Sequence, residues 1–290
     1  MFRRGAAAAQ RYTSSSEVYL CPICETGFSQ SALLTGELTL DEAPPASVGG
    51  KGIALTCKDC NSKAGYSIDA AVDRRAKLLN FKKVVAQGGH GLAGDATMCI
   101  GGESVNVIVK GDVKGTLQFE SPPSRNNPNA AKRTIAYLER LAHDGSWKGE
   151  EFTITARTRY HSRLAMVGDL KAAFLVAFAA LGYRYAFDPL LDEIRQQIRN
   201  PNDHVIDNWT MTLKETGDVR PLMIVVESLP GVVVQLDEVG IILPWFTSPK
   251  DFYSELAARY SSNKQMQLQG KRVPWPTRLE MALDFWHSSC

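Results

Sequence analysis

The sequence lacks an apolar segment long enough to cross a lipid bilayer, and it has little excess of either charge. Its longest apolar run, AAFLVAFAALGY from Ala172 to Tyr183, is shorter than the ~20 residues that a transmembrane helix requires. We therefore expect a buried helix at this run and no membrane partner. The 290 residues include 33 lysines and arginines against 31 aspartates and glutamates, so net charge alone does not indicate nucleic-acid binding.

Motifs typical of several enzyme classes are also missing. No P-loop, dinucleotide-binding glycine motif or nucleophile elbow is present, and no internal repeat is evident. His143, His161, His204 and His287 show no spacing typical of metal ligands. These absences argue against nucleotide-binding enzymes and serine hydrolases.

The N-terminal segment MFRRGAAAAQRYTSSS is free of acidic residues and lacks the apolar length of a secretory signal. We predict a disordered tail over residues 1–16, with an organelle transit peptide as the alternative. Cysteine is scarce, at six residues, and four of these form two CxxC pairs. This usage favours a reducing compartment and metal binding over disulfides, and we expect a cytoplasmic protein.

The two CxxC pairs predict a structural zinc site. CPIC supplies Cys21 and Cys24, and CKDC supplies Cys57 and Cys60 after an interval of 32 residues. Four thiolates presented from two tight turns suit tetrahedral Zn²⁺ and leave no open coordination position. Such a site stabilises the fold, so catalysis would require other residues.

The order of patterns along the chain predicts an α+β protein in two parts. GELTL and IALTC are typical of strands, and a helix is expected from Asn61 to about Asn80, which gives a zinc-stapled ββα unit over residues 17–88. The glycine-rich QGGHGLAGD is the predicted boundary. Strands and helices then alternate irregularly, which favours a larger mixed α+β domain over residues 95–290, of unknown role.

The segments LTLDEAPPASVGG and LTCKDCNSKAG, which follow CPIC, carry a resemblance to a known family. In order and spacing they resemble the zinc-containing HNH-type, or ββα-metal, endonucleases, over about Cys21 to Asp73. The resemblance implies a treble-clef-like ββα fold and metal-dependent hydrolysis of DNA phosphodiester bonds. It also implies a structural Zn²⁺ and a catalytic Mg²⁺ or Mn²⁺.

The same resemblance assigns candidate catalytic residues, and it departs from the family at one of them. Asp41 matches the acidic position before the family's catalytic histidine, and Asn61 matches the last position of the motif, a metal ligand in active members. Glu42 stands where the histidine would be, and the central asparagine of the motif is absent near Gly52. The catalytic set predicted by resemblance is therefore Asp41, Glu42 and Asn61.

The substitution at Glu42 leaves several interpretations open. An unperturbed glutamate has a pKa of about 4.3, against about 6.5 for histidine, and so is a poor base near neutral pH. Asp41, Glu42 and Asn61 could form an oxygen-rich Mg²⁺ or Mn²⁺ site. Alternatively the site has lost hydrolysis and kept its shape, or the two carboxylates are ordinary turn residues. His90 is the first candidate to supply a missing base.

Basic residues on the predicted helix are candidates for contact with DNA phosphates. They are Lys63, Arg74, Arg75 and Lys77. A charged, solvated helix face is the simpler alternative. The competing functions are a non-catalytic zinc module for nucleic acid or a protein partner, and a structural zinc unit attached to an activity in residues 95–290. The C-terminal region could also support a homodimer.

Overall fold

The computed structural model describes most of the chain, namely residues 1–15, 17–87, 90–145, 151–156, 159–212, 223–226, 230–236, 239–260 and 270–285. The protein is mixed α+β, as predicted. Its contacts divide it into two units: the first joins Met1–Asp73 to His161–Cys290, and the second is Arg74–Tyr160. This division differs from the predicted one at residues 88–95. Segment 161–290 packs back onto the cysteine-containing segment, which local sequence patterns cannot reveal.

Elements are numbered along the chain. Up to residue 87 they are α1 (Phe2–Ala9), β1 (Tyr19–Leu20), β2 (Gly27–Phe28), β3 (Leu38–Ala43), β4 (Lys51–Cys57), α2 (Lys58–Ala64), a π-helical turn (Gly65–Asp69) and α3 (Ala70–Gln87). From 90 to 160 they are β5 (Gly91–Ile100), β6 (Glu103–Gly111), β7 (Leu117–Glu120), α4 (Pro128–Asp144) and β8 (Thr153–Thr155). The remainder comprises α5 (Ser162–Leu181), α6 (Tyr183–Ala186), α7 (Asp192–Arg199), β9 (Thr210–Thr212), β10 (Met223–Val226), β11 (Gly231–Leu236), β12 (Val239–Pro244), α8 (Phe252–Tyr260), β13 (Gly270–Val273) and α9 (Ala282–Phe285).

The N-terminal segment is helical over α1, where the sequence predicted a disordered tail. Its alanines favour a helix, and their small side chains allow close approach to the rest of the first unit. Phe2 is buried, and its ring lies 5.9 Å from that of Tyr19. The difference from the prediction arises because the alanines of α1 are buried against the rest of the first unit.

Strands β3 and β4 form an antiparallel hairpin that leads directly into α2. Leu38 pairs with Cys57 at the open end, and the register shifts by a bulge between Asp41 and Glu42. The helical path continues from α2 through the π-helical turn into α3. The hairpin and the first turn of α2 thus position Cys57 and the predicted catalytic residues.

Helix α5 forms the centre of the first unit. It packs against β3 and β4 on one side and β11 and β12 on another, and almost all of its residues are buried. Its apolar character all round explains this position, since no side needs to face water. The helix extends back to Ser162, beyond the apolar run noted in the sequence. By length and composition it could therefore cross a membrane, although 89% of its most apolar window is buried inside the protein.

The second unit has its own core. Its antiparallel sheet has the order β7-β6-β5-β8, and α4 packs on β6. Alternate residues of β5 and β6 face one side and are buried with Val84 of α3 and Leu141 of α4. Both helices therefore cover the same face of the sheet.

Candidate metal centre and its surroundings

Four cysteine side chains converge in the first unit. Cys21 and Cys24 lie in the turn between β1 and β2, Cys57 ends β4, and Cys60 lies in the first turn of α2. Their sulfur atoms all lie within 4.8 Å of one another. Backbone groups support the arrangement, because the Cys57 N–H donates to Cys21 Sγ at 3.4 Å and the Cys60 N–H donates to Cys57 Sγ at 3.4 Å.

This cluster fits a tetrahedral metal ion. A Zn–S distance of about 2.3 Å places tetrahedral sulfurs about 3.8 Å apart. Cys24 Sγ and Cys57 Sγ are 3.6 Å apart. The Cys21 thiol lowers the pKa of Cys24 and raises that of Cys60. In the part of the chain that the structure describes, it is the one group of three or more Cys, His, Asp or Glu able to hold a metal.

A buried arginine fixes the turn that carries the first cysteine pair. Glu25, directly after Cys24, has a φ of 63° and closes this turn. Its Oε1 lies 2.7 Å from Nη2 of Arg195 on α7. The same guanidinium also donates to the Ala186 carbonyl and pairs with Asp192. The β1–β2 turn is thereby attached to α7 independently of any metal.

Asp41 is committed to a buried ion cluster and does not face solvent. Only 2% of the residue is exposed. Its Oδ1 lies 2.9 Å from Lys171 Nζ on α5, and its Oδ2 accepts a hydrogen bond from Thr56 Oγ1 at 2.8 Å. Lys171 Nζ also donates to Asp69 Oδ2 at 2.9 Å. We call Asp41, Lys171 and Asp69 the Lys171 triad.

The triad holds a charged lysine in the protein interior. Burial disfavours the ammonium, but Asp41 and Asp69 outweigh that effect and raise the pKa of Lys171 above its ordinary value. Burial raises the pKa of Asp69, and Lys171 opposes this increase without cancelling it. Lys171 therefore remains protonated at neutral pH and is the cation that both Asp41 and Asp69 contact.

The other two predicted catalytic residues make local hydrogen bonds. Glu42 is exposed, and its Oε2 accepts from the Ala46 N–H at 3.0 Å. The Asn61 amide donates to Thr39 Oγ1 at 2.9 Å and to the Leu40 carbonyl at 3.3 Å, which ties α2 to β3. Asp41 thus points into the core while Glu42 faces solvent. Their catalytic roles stay predictions.

The predicted phosphate-binding residues are divided between the two units. Lys63 lines a groove of about 680 Å³ beside the cysteine cluster, together with Lys58, Arg199, Glu37 and Asp59. Its cations are thus accompanied by carboxylates, and four metal-bound thiolates would add more negative charge. Arg74, Arg75 and Lys77 lie on the part of α3 that belongs to the second unit, with Arg74 and Lys77 exposed.

Sequence reasoning missed Lys171 and Asp69. One signal was present, because Lys171 interrupts the most apolar helical segment of the chain. A charge in such a helix requires a buried partner. The sequence could not say which of its carboxylates that partner would be.

Comparisons with known proteins identify no relative of this chain. A scan against protein-family models, a search of curated proteins and a search of solved structures found no match to this chain. The resemblance to HNH-type endonucleases rests on the motifs themselves. Support for a function therefore comes from the geometry of the hairpin, the cysteine cluster and the Lys171 triad.

Proposed function

We propose that this protein binds nucleic acid without hydrolysing it, and that its HNH-like hairpin is a zinc-organised scaffold. The buried position of Asp41 carries the proposal. Hydrolysis at an HNH-type site would need a divalent ion held by oxygen ligands and a base to activate water. Both Asp41 oxygens are instead engaged inside the protein, by Lys171 and Thr56.

Recruiting Asp41 to a metal would be costly. Its carboxylate would have to leave Lys171, and a buried ammonium would lose one of its two counter-ions. Breaking a buried ion pair in this way costs about 3–5 kcal/mol. Glu42 is accessible, but an exposed carboxylate is a weaker base than the imidazole that the motif normally supplies at this position.

The cysteine cluster has a structural role in this proposal. Cys21, Cys24, Cys57 and Cys60 would hold one Zn²⁺, which supplies folding free energy and has no open position for water. The ion would join the β1–β2 turn to the junction of β4 and α2. Support for nucleic acid as the partner comes from the motif and from the exposed cations Lys63, Arg74 and Lys77 that follow it.

A cleavage assay tests the absence of hydrolysis. The zinc-loaded full chain is incubated with supercoiled plasmid and Mg²⁺ or Mn²⁺, while binding of a labelled duplex is followed by fluorescence anisotropy. We expect salt-sensitive binding and no nicking. Nicking that Glu42→Ala abolishes, with zinc retained and with the exposed control Glu37→Ala still active, would establish the endonuclease instead.

Restoring the family's histidine sharpens this test. Glu42→His supplies an imidazole but leaves the Asp41 carboxylate bound to Lys171. We therefore expect Glu42→His to remain inactive with either divalent ion. A gain of divalent-dependent nicking in this variant would show that only the base was missing and would refute the argument from Asp41.

A further inference from the structure

Positive charge is concentrated in the second unit. Residues 74–160 contain 14 lysines and arginines against 8 aspartates and glutamates, whereas the rest of the chain has 19 against 23. The near-neutral total thus combines a basic unit with an acidic one. A polyanion is attracted to the basic unit and repelled by the acidic one, which zinc-bound thiolates would make more negative.

Three carboxylates of the second unit pair with cations near the sheet. Glu120 pairs with Lys110, Asp95 with Arg125, and Glu103 with Arg133, all within 2.6 Å. The two helices carry further exposed cations that make no ion pair with a described residue. Besides Arg74, these are Lys82 and Lys83 on α3 and Lys132 and Arg140 on α4, and the Arg140 guanidinium lies 4.9 Å from the centre of the Tyr137 ring.

These four cations lie on the outer side or the flanks of the helices. On α3, Val84 and Val85 face the sheet, and on α4, Tyr137 and Leu141 do so. Because the helix repeats every 3.6 residues, Lys83 and Lys132 point away from the sheet, and Lys82 and Arg140 lie on the flanks of their helices. Because α3 and α4 cover the same face of the sheet, these four cations lie on the same side of the second unit, and we call them the helical face. Glu139, which is an exposed carboxylate, lies on the same outer side of α4.

We propose that the helical face binds the sugar-phosphate backbone of duplex nucleic acid. The class of partner, nucleic acid, rests on the proposed function. The location of the binding surface rests on the charge and helices of the second unit. The described aromatics of these helices, Phe81 and Tyr137, pack into the core, so they offer no platform for stacking unpaired bases. Both apolar helix faces are also used in the core, unlike those of a membrane-surface helix.

The salt dependence of binding measures the contacts. If each of the four cations meets one phosphate, they contribute about −3.6 to the slope of log K against log salt, at about −0.9 per contact. Lys82→Glu combined with Lys83→Glu removes two contacts and should reduce the slope by about 1.8. Labelled DNA and RNA duplexes, a single-stranded oligonucleotide and phosphatidylserine vesicles are the probes, used with the zinc-loaded full chain.

A matched double variant controls for net charge. Lys271→Glu with Arg272→Glu makes the same charge change at two exposed positions on β13 of the first unit, and we expect normal binding. Lys132→Glu with Arg140→Glu tests α4 independently, and circular dichroism and zinc content confirm folding in every variant.

The outcomes separate this surface from the proposed function. An equal loss of affinity in the helical-face variants and the control variant, or a loss only in the control, would reject the helical face as the binding surface. Either result would leave nucleic-acid binding itself in place. No binding of any nucleic acid would reject both proposals. Preference for the single strand or for vesicles would reject the assignment of duplex as the partner.

Discussion

Replacing Lys171 with methionine is the most direct test of how the Lys171 triad supports the first unit. Methionine preserves much of the apolar volume in α5 and removes the ammonium that lies 2.9 Å from both Asp41 and Asp69. Two carboxylates then remain without a counter-ion beneath the β3–β4 hairpin. We expect the hairpin to detach from α5 more easily and the whole unit to lose stability.

The size of the loss follows from the burial of the two carboxylates. The Asp41 side chain is 2% exposed and cannot reach water, whereas that of Asp69 is 19% exposed and can be partly hydrated. Removing one partner of a buried ion pair costs about 3–5 kcal/mol, and Asp41 should account for most of it. Adding Asp41→Asn should restore part of the loss, because the amide oxygen can still accept from Thr56.

The pH dependence of the free energy of unfolding is a second measure of the contribution of the Lys171 triad. Because the folded-state pKa of Lys171 is raised, its stabilisation is complete below its ordinary pKa and is lost as the pH rises through the raised value. In Lys171→Met this alkaline loss should disappear. Its deficit should also shrink as the pH falls, because burial raises the pKa of Asp69, which can then take up a proton.

Urea denaturation followed by circular dichroism measures the free energy of unfolding over this range. The control is Lys250→Met, at an exposed lysine that makes no ion pair with a described residue, and its effect should stay within about 0.5 kcal/mol. If Lys171→Met cost no more than this control at neutral pH, the triad would not stabilise the fold as inferred. Asp41 could then leave Lys171 for a metal ion without the cost inferred above.

Three further predictions concern the cysteine cluster, the packing of α5 and the π-helical turn. Cys57→Ser should lower bound zinc, measured by atomic emission, while Cys99→Ser, outside the cluster, should leave it unchanged. A Cβ at Gly168 would lie 2.4 Å from Val72 Cγ2, so Gly168→Ala should destabilise by about 1–3 kcal/mol in urea denaturation. Gly65 is also helical but has open space, so Gly65→Ala should instead stabilise by about 0.5–1 kcal/mol. A stabilising Gly168→Ala would contradict the close packing.

Local sequence patterns were enough to predict the β3–β4 strands, the helix that follows them and the grouping of the four cysteines. GELTL and IALTC lie in or beside β3 and β4, and the helix expected from Asn61 belongs to the helical path that follows β4. The cysteines could be grouped because the two CxxC spacings already imply two tight turns directed at one ion. These inferences needed no knowledge of distant contacts.

Features that depend on distant partners could not be predicted. Asp41 reads as part of a catalytic motif until Lys171 is placed beside it, and the sequence separation of 102 residues between Lys171 and Asp69 shows how remote such partners are. The predicted boundary between the units differs from the observed one for the same reason. A glycine-rich stretch signals a local break, but only the return of segment 161–290 to the cysteines shows which parts share a core.

The discontinuous first unit has a consequence for the order of folding during synthesis. The Tyr183 hydroxyl donates to the Leu20 carbonyl across 163 positions, so the support for the cysteine hairpin is translated long after the hairpin itself. Such nonlocal contacts fold slowly, because a long loop must close before they can form. Until α5 has been synthesised, the β3–β4 hairpin therefore lacks Lys171, the cation that Asp41 contacts in the folded protein.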